Sequence, residues 1–205
     1  MIKIPQFIKN LKNLIKKPHE PLRTENRELT VQDIQRAIIE TARLYVGIKE
    51  QGHNKGKIIE EFQKAVDGRA MGEPYCLGFV QYVVNEVCRQ FGLTNPLYQT
   101  EHCQTLFNGT LQNYKTTSAN CGHIFIMKSH NSNSGHAGFC VNAGNTYFAT
   151  IEGNTNPDGS REGDGVYEKI RHMGGTKTMN IRGFIDLSKM IYNEKQKQNA
   201  PQRLA

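Results

Sequence analysis

The chain has 205 residues, a formal net charge of +7 and 37% hydrophobic residues. This length supports one domain with a sizeable core, and the composition excludes a chain that is disordered throughout. Residues 1–24 carry a net +5 and residues 189–205 a net +3, which leaves −1 for the residues between them. A nucleic-acid-binding domain carries its basic patch within the folded part, so we expect no nucleic-acid partner.

Residues 1–28 are predicted to form a basic extension and linker. Residues 1–17 place apolar side chains at helical spacing with lysines between them, which predicts a short amphipathic helix. Such a helix can lie on an anionic membrane surface, or it can pack on its own domain. The segment lacks the continuous apolar core and the small-residue cleavage site of a secretory signal. We therefore expect synthesis in the cytoplasm, after which the protein either works inside the cell that makes it or leaves by a route that reads no such signal.

Three helices are predicted next. Thr30 and Asp33 form the pattern of a capping box, which opens a helix that we expect to end near Gly47. Apolar residues at helical spacing in 58–66 predict a second helix, and those in 75–90 predict a third. No apolar stretch approaches the ~18 residues that a membrane span needs.

The character of the chain changes to strands after residue 115. Alternating or continuous apolar runs predict strands at 124–126, 136–141, 147–151, 166–170 and 181–187. Helices followed by strands predict an α+β domain over residues 29–188, with the N-terminal helices packed on a central antiparallel sheet. Residues 189–205 are predicted to be a polar C-terminal tail. We expect the protein to be a monomer.

Cys76 is the first candidate for chemistry. It falls in the first turn of the third predicted helix, on the side that turns to the core. Unpaired amides at a helix N-terminus lower the pKa of a thiol and can stabilise an oxyanion beside it. The alternative is a structural cysteine, since free Cys is often a small core residue. The chain has five cysteines, which are too sparse for a disulfide scaffold, so we expect reduced thiols.

The predicted hairpin carries the second set of candidates. We place Val141 opposite Tyr147, joined by a Gly-containing loop. In this register His136 lies opposite Glu152, and Asn154 shares the face of Glu152. A carboxylate there would fix the tautomer of the imidazole and stabilise the imidazolium. The alternative is a surface His–Glu pair, and a slip of one residue would separate the two side chains.

Four stretches in order resemble the CHAP family of peptidoglycan hydrolases, which is related to the NlpC/P60 and papain-like groups. They are LYVGIKEQGHNKGKIIEEFQ, GEPYCLGFVQYV, GHAGFCVN and TIEGNTN, within a resemblance that covers about residues 31–187. The resemblance implies a papain-like fold with Cys76 as nucleophile, His136 as general base, Glu152 as the residue that orients it and Asn154 as a supporting group. Tyr75 stands where many members have Trp, and we regard it as a candidate for oxyanion or substrate binding.

The resemblance implies a peptidoglycan amidase or endopeptidase, acting as a phage endolysin or a bacteriolytic effector. The alternative is a non-catalytic module that binds cell wall or membrane on the same fold. We expect no cofactor. The His and Cys residues match no common zinc spacing, and the loop at 52–56 lacks the acidic residues that bind calcium in some family members, so we also expect no metal.

Overall fold

A computed structural model describes residues 28–157 and 163–199. The helices of this part are α1 (Val31–Arg43), α2 (Lys57–Asp67), α3 (Cys76–Gln90), α4 (Cys103–Gly109) and α5 (Leu187–Asn199). The strands are β1 (Lys115–Thr116), β2 (Ile124–Ser129), β3 (Gly135–Cys140), β4 (Tyr147–Thr155), β5 (Gly165–His172) and β6 (Met179–Ile185). The predicted amphipathic helix and its membrane contact lie in residues 1–27, outside the described residues.

The strands form one antiparallel sheet in the order β1-β6-β2-β3-β4-β5. The predicted α+β class is therefore confirmed. The larger buried cluster lies between the helices and the sheet, and α3 contacts both β3 and β4. A smaller cluster around Phe125, Cys140 and Phe148 is separate from it. None of the helices in the described part combines the length and apolar character needed to cross a bilayer.

Helix α1 begins with the predicted capping box. The Thr30 hydroxyl accepts the Asp33 N–H at 3.2 Å, and the Asp33 carboxylate accepts the Thr30 N–H at 3.0 Å. The helix ends at Arg43, a few residues before the predicted end. The reason is that the Gly47 N–H bonds to the Val166 carbonyl at 2.9 Å, which draws the following turn toward β5.

Helix α3 lies close against α2 because Gly78 has no side chain. A Cβ at this position would stand 2.6 Å from the Phe62 carbonyl oxygen. The predicted inward face of α3 is fully buried, with Val80, Val83 and Val87 each 0% exposed. This packing fixes the helix axis, and therefore the position of the first residue of α3 above the sheet.

The C-terminal boundary differs from the prediction. Strand β6 ends at Ile185 and helix α5 runs over Leu187–Asn199, so most of the segment that we expected to be a polar tail is helical. Leu187 and Ile191 have the helical spacing that places both in the core, where each is 0% exposed. The polar side chains after residue 192 masked this short apolar signal. Residues 200–205 lie outside the described part.

Candidate active site

Cys76 is the first residue of α3 and is 6% exposed. Tyr75, the residue at the N-cap, makes no side-chain hydrogen bond to the first turn. The first amides of α3 therefore have no capping side chain and are available to a ligand at the sulfur. The Ala137 N–H of β3 and the His136 imidazole both lie close enough to the sulfur to lower the pKa of Cys76. The structure thus brings together the two residues predicted to be nucleophile and base.

The strand register that led to His136 and Glu152 is wrong by two residues. The observed pairs are Phe139 with Ile151 and Cys140 with Thr150, whereas the prediction placed His136 opposite Glu152. The connection is longer than a tight hairpin because Asn142 accepts the Ala149 N–H and Gly144 bridges to Ala119. These two contacts shift β4 along β3.

The two side chains still meet, because a shift of two residues keeps both on the same face of the sheet. His136 Nε2 bonds to Glu152 Oε2 at 2.8 Å, as a diagonal rather than a directly opposed pair. Nδ1 is therefore the ring nitrogen left for Cys76. The paired part of β3 and β4 stops at Phe139, so the segment with His136 is paired to β2 alone. The start of α3 lies at the other edge of this segment, which pairs with no described strand.

Glu152 is 0% exposed, and both of its carboxylate oxygens accept hydrogen bonds. Arg171 of β5 donates from Nε to Oε1 at 2.8 Å and from Nη2 to Oε2, and the Thr150 hydroxyl donates to Oε1. A bidentate guanidinium and a second donor fix the plane of the carboxylate. The carboxylate in turn fixes the imidazole, whose ring stands 5.9 Å from that of Phe125.

These contacts shift the pKa values in the direction that nucleophilic catalysis needs. The contact with the Cys103 thiol, together with the nearby His136, holds the pKa of Cys76 well below its usual range despite burial. Burial lowers the pKa of His136, but Cys76 and Glu152 outweigh it and raise the pKa to about 9. Burial alone would raise the pKa of Glu152, but Arg171 and His136 hold it well below its usual range. The resting state favoured by these shifts is a thiolate–imidazolium pair beside an ionised carboxylate.

Asn154 and Tyr75 are placed differently from the central three. Asn154 lies in a bulge between Glu152 and Thr155 with φ +53, so the alternation that would put it on the face of Glu152 is interrupted. Among the described residues, the Asn154 side chain makes no hydrogen bond to His136. The Tyr75 ring is 1% exposed and packs 6.1 Å from the ring of Phe62. The ring of Tyr75 is therefore part of the core.

Sequence reasoning missed three members of this cluster: Arg171, Thr150 and Cys103. Arg171 sits four residues from the β5 partner of Glu152, Tyr167, and reaches the carboxylate through its long side chain. The available signal was alternation, which puts positions 167, 169 and 171 on one face of β5. Thr150 shares the face of Glu152 two residues away. Nothing in the sequence around Cys103 indicates its neighbour.

The described residues contain no group of three or more His, Cys, Asp and Glu side chains arranged to hold a metal ion. No protein-family model matches the sequence, and a search of curated proteins finds no match at a significant level.

Proposed function

We propose that this protein is a cysteine-nucleophile amide hydrolase whose substrate is peptidoglycan. The observation that carries the proposal is the grouping of Cys76, His136 and Glu152: His136 bonds to Glu152 at 2.8 Å and lies close enough to the Cys76 thiol to lower its pKa. Thiol, base and orienting carboxylate in hydrogen-bond reach of one another are the requirement for an activated nucleophile. A core cysteine without a catalytic role would not need a buried, charged carboxylate behind its neighbour, because burying such a group is costly.

The proposed reaction starts with attack of the Cys76 thiolate on an amide carbonyl carbon. The oxyanion that forms is stabilised by the uncapped amides at the start of α3, beginning with the N–H of Cys76 itself. The His136 imidazolium then gives its proton to the leaving amine as the C–N bond breaks. Neutral His136 takes a proton from water, the hydroxide attacks the thioester, and the Cys76 thiolate leaves.

The roles of the remaining residues follow from their contacts. Glu152 stabilises the imidazolium and keeps Nδ1 directed at the sulfur, as in other triads with a third orienting group. Arg171 keeps Glu152 ionised and in plane and does not touch the reacting atoms. The proposed fold is papain-like, since a cysteine that opens a helix packed on an antiparallel sheet meets a histidine on a strand.

Peptidoglycan as substrate is supported by the resemblance of the segments around Cys76, His136 and Glu152 to the CHAP family. We propose that the protein cleaves an amide bond of peptidoglycan. This bond is either the amide between N-acetylmuramic acid and L-alanine or a peptide bond of the stem or cross-bridge. We propose that the protein reaches the wall after release or delivery, as an endolysin or as a bacteriolytic effector.

The test incubates the purified protein with peptidoglycan and identifies the soluble products by mass spectrometry. We expect fragments from the wild type and none from Cys76→Ala, and the masses name the bond that is cut. Cys121→Ala is the matched control, because it removes a half-buried thiol outside the site and should release the same fragments.

The fold of each variant is checked by circular dichroism before digestion. Fragments from a folded Cys76→Ala protein would contradict the assignment of the nucleophile. Tight binding to the wall without fragments from any variant would favour the non-catalytic wall-binding module.

A further inference from the structure

The sulfurs of Cys76 and Cys103 lie 3.9 Å apart in the buried core. Cys76 opens α3 and Cys103 opens α4, so the two thiols face each other from the first turns of two helices. Cys103 is 4% exposed. The contact is a direct one between sulfur atoms, and the mechanism proposed above has no step that uses Cys103.

The packing around Cys103 brings it to Cys76. A Cβ at Gly135 would stand 2.8 Å from the Cys103 Cβ and 2.7 Å from Gln104 Nε2, so α4 rests on the bare backbone of β3. The Gln104 amide also donates to the Met127 carbonyl at 2.9 Å. These contacts anchor α4 to the sheet beside His136. The packing of α4 on the sheet therefore holds the Cys103 sulfur next to the Cys76 sulfur.

The two thiols differ in character, as the members of a redox pair do. The bond that Cys103 donates to Cys76, together with burial, raises the pKa of Cys103 well above that of an ordinary thiol. Cys76 is the thiolate and hence the sulfur that an oxidant meets first, and Cys103 remains a thiol beside it. A low-pKa cysteine next to a second thiol is the arrangement of a redox-sensing site.

We propose that Cys76 and Cys103 form a redox pair that closes into an intramolecular disulfide when a small hydroperoxide oxidises Cys76. Closure brings the sulfurs from 3.9 Å to about 2.0 Å, the length of a disulfide bond. A small oxidant is required, because the residues of the pair are only 6% and 4% exposed.

The chemistry has two steps. The Cys76 thiolate attacks one oxygen of the hydroperoxide, an S–O bond forms and the O–O bond breaks. With hydrogen peroxide, the departing hydroxide takes the proton of the His136 imidazolium and leaves as water. The Cys103 sulfur then attacks the Cys76 sulfenic acid, the S–O bond breaks, and the thiol proton leaves with the hydroxyl as a second water. Two electrons pass from the sulfurs to the peroxide.

The disulfide removes the nucleophile from the proposed hydrolase, and a thiol reductant restores it. It also diverts the sulfenic acid from irreversible oxidation to sulfinic acid. The consequence for hydrolysis rests on the proposed function, whereas formation of the disulfide does not.

The test treats the full-length protein with hydrogen peroxide, blocks the remaining thiols with iodoacetamide in denaturant, and maps the unreduced peptides by mass spectrometry. We expect a Cys76–Cys103 linked peptide that disappears with dithiothreitol. In Cys103→Ser the same treatment should convert Cys76 to sulfinic acid. Cys121→Ser removes the half-buried cysteine and should leave the link unchanged.

The proposal is overturned if Cys76 in the wild type becomes sulfinic acid while Cys103 stays a free thiol. Linkage between other cysteines, or five thiols that all remain reduced, overturns it as well. If Cys103→Ser does not fold, the wild-type peptide map alone decides. A reversible Cys76–Cys103 link in a protein that releases no peptidoglycan fragments even when reduced would uphold the redox pair and refute the hydrolase.

Discussion

Arg171 and His136 contact the same carboxylate oxygen, Oε2 of Glu152. The carboxylate therefore lies between Arg171, which is always charged, and His136, whose pKa is raised by its surroundings. Because the guanidinium already compensates the buried carboxylate, Glu152 stays ionised even when His136 is neutral. In the proposed reaction, His136 can therefore change its protonation state without the carboxylate taking up a proton.

The first prediction concerns the charge of Glu152. Glu152→Gln keeps the size of the side chain but removes the charge that stabilises the imidazolium. We expect the pKa of His136 to fall from about 9 and the rate of hydrolysis to fall on the order of 100-fold or more. The measurements are kcat/KM on peptidoglycan and a titration of the His136 ring by nuclear magnetic resonance.

Glu168→Gln is the matched control, because Glu168 is an exposed β5 residue paired with Arg43. It should leave both measurements unchanged. A Glu152→Gln protein with full activity and an unaltered His136 titration would refute the role assigned to Glu152.

The second prediction concerns stability. Arg171→Met leaves a buried carboxylate with less compensation, and Glu152→Gln leaves a guanidinium that is only 14% exposed without its anion. Breaking a buried pair in this way costs on the order of 3–5 kcal/mol, so each single variant should lower the free energy of unfolding by about this amount. The double variant should lose clearly less than the sum, because neither charge is then left alone.

Urea unfolding of the four proteins measures this coupling. Arg43→Met, which breaks an exposed pair with Glu168, should cost less than about 1 kcal/mol. Losses that simply add in the Arg171/Glu152 cycle would show that the two residues are not energetically coupled.

The central three residues could be predicted from the sequence, for a physical reason. Residues on a strand alternate between faces, so an error of two residues in the register did not separate His136 from Glu152. The inward placement of Cys76 followed from helical spacing, because the apolar residues after it define the buried side of α3, whereas its role as nucleophile rested on the family resemblance. Both arguments rest on local periodicity, which survives without knowledge of the tertiary structure.

The contacts that the sequence did not predict join residues that are far apart in the chain. Cys103 meets Cys76 only because α4 rests on β3 at Gly135, and no local pattern encodes that packing. Arg171 meets Glu152 through the pairing of β4 with β5, across a connection that the sequence describes only as a turn. Helix α5 was missed because polar residues outnumber its few buried ones.

The third prediction concerns pH. In the proposed mechanism the working form of the site is thiolate and imidazolium, so activity should rise as Cys76 loses its proton and fall as His136 loses its own. Because the pKa of Cys76 lies well below that of an ordinary thiol, the acid limb of kcat/KM should lie well below ~8.5, with an alkaline limb near pH 9.

His136→Gln removes the charge that stabilises the thiolate, so alkylation of Cys76 by iodoacetamide should move toward the pH range of an ordinary thiol. This readout does not require hydrolysis. A wild-type alkylation profile that already titrates near ~8.5 would contradict the ion pair.

The last prediction concerns Gly138, which has no side chain at the point where β3 passes β4. A Cβ there would stand 2.7 Å from the Ile151 carbonyl oxygen, 2.9 Å from the Glu152 Cγ and 2.9 Å from the Phe125 ring. The carbonyl belongs to the paired part of β4 and cannot rotate away, so Gly138→Ala must push the strands apart. We expect a loss of about 1–3 kcal/mol in the free energy of unfolding, typical of overpacking, and a loss of hydrolysis larger than this instability explains.

The reason for the excess loss is geometric. The displaced groups carry the carboxylate, and a shift of ~1 Å in a positioned group can cost on the order of 100-fold in rate. Gly109→Ala is the matched control, since a Cβ there meets only the Tyr98 ring, at 4.0 Å. Urea unfolding and peptidoglycan digestion of both variants make the comparison. If Gly138→Ala is destabilised but hydrolyses at the wild-type rate while folded, the geometry of the His136–Glu152 bond does not limit the reaction.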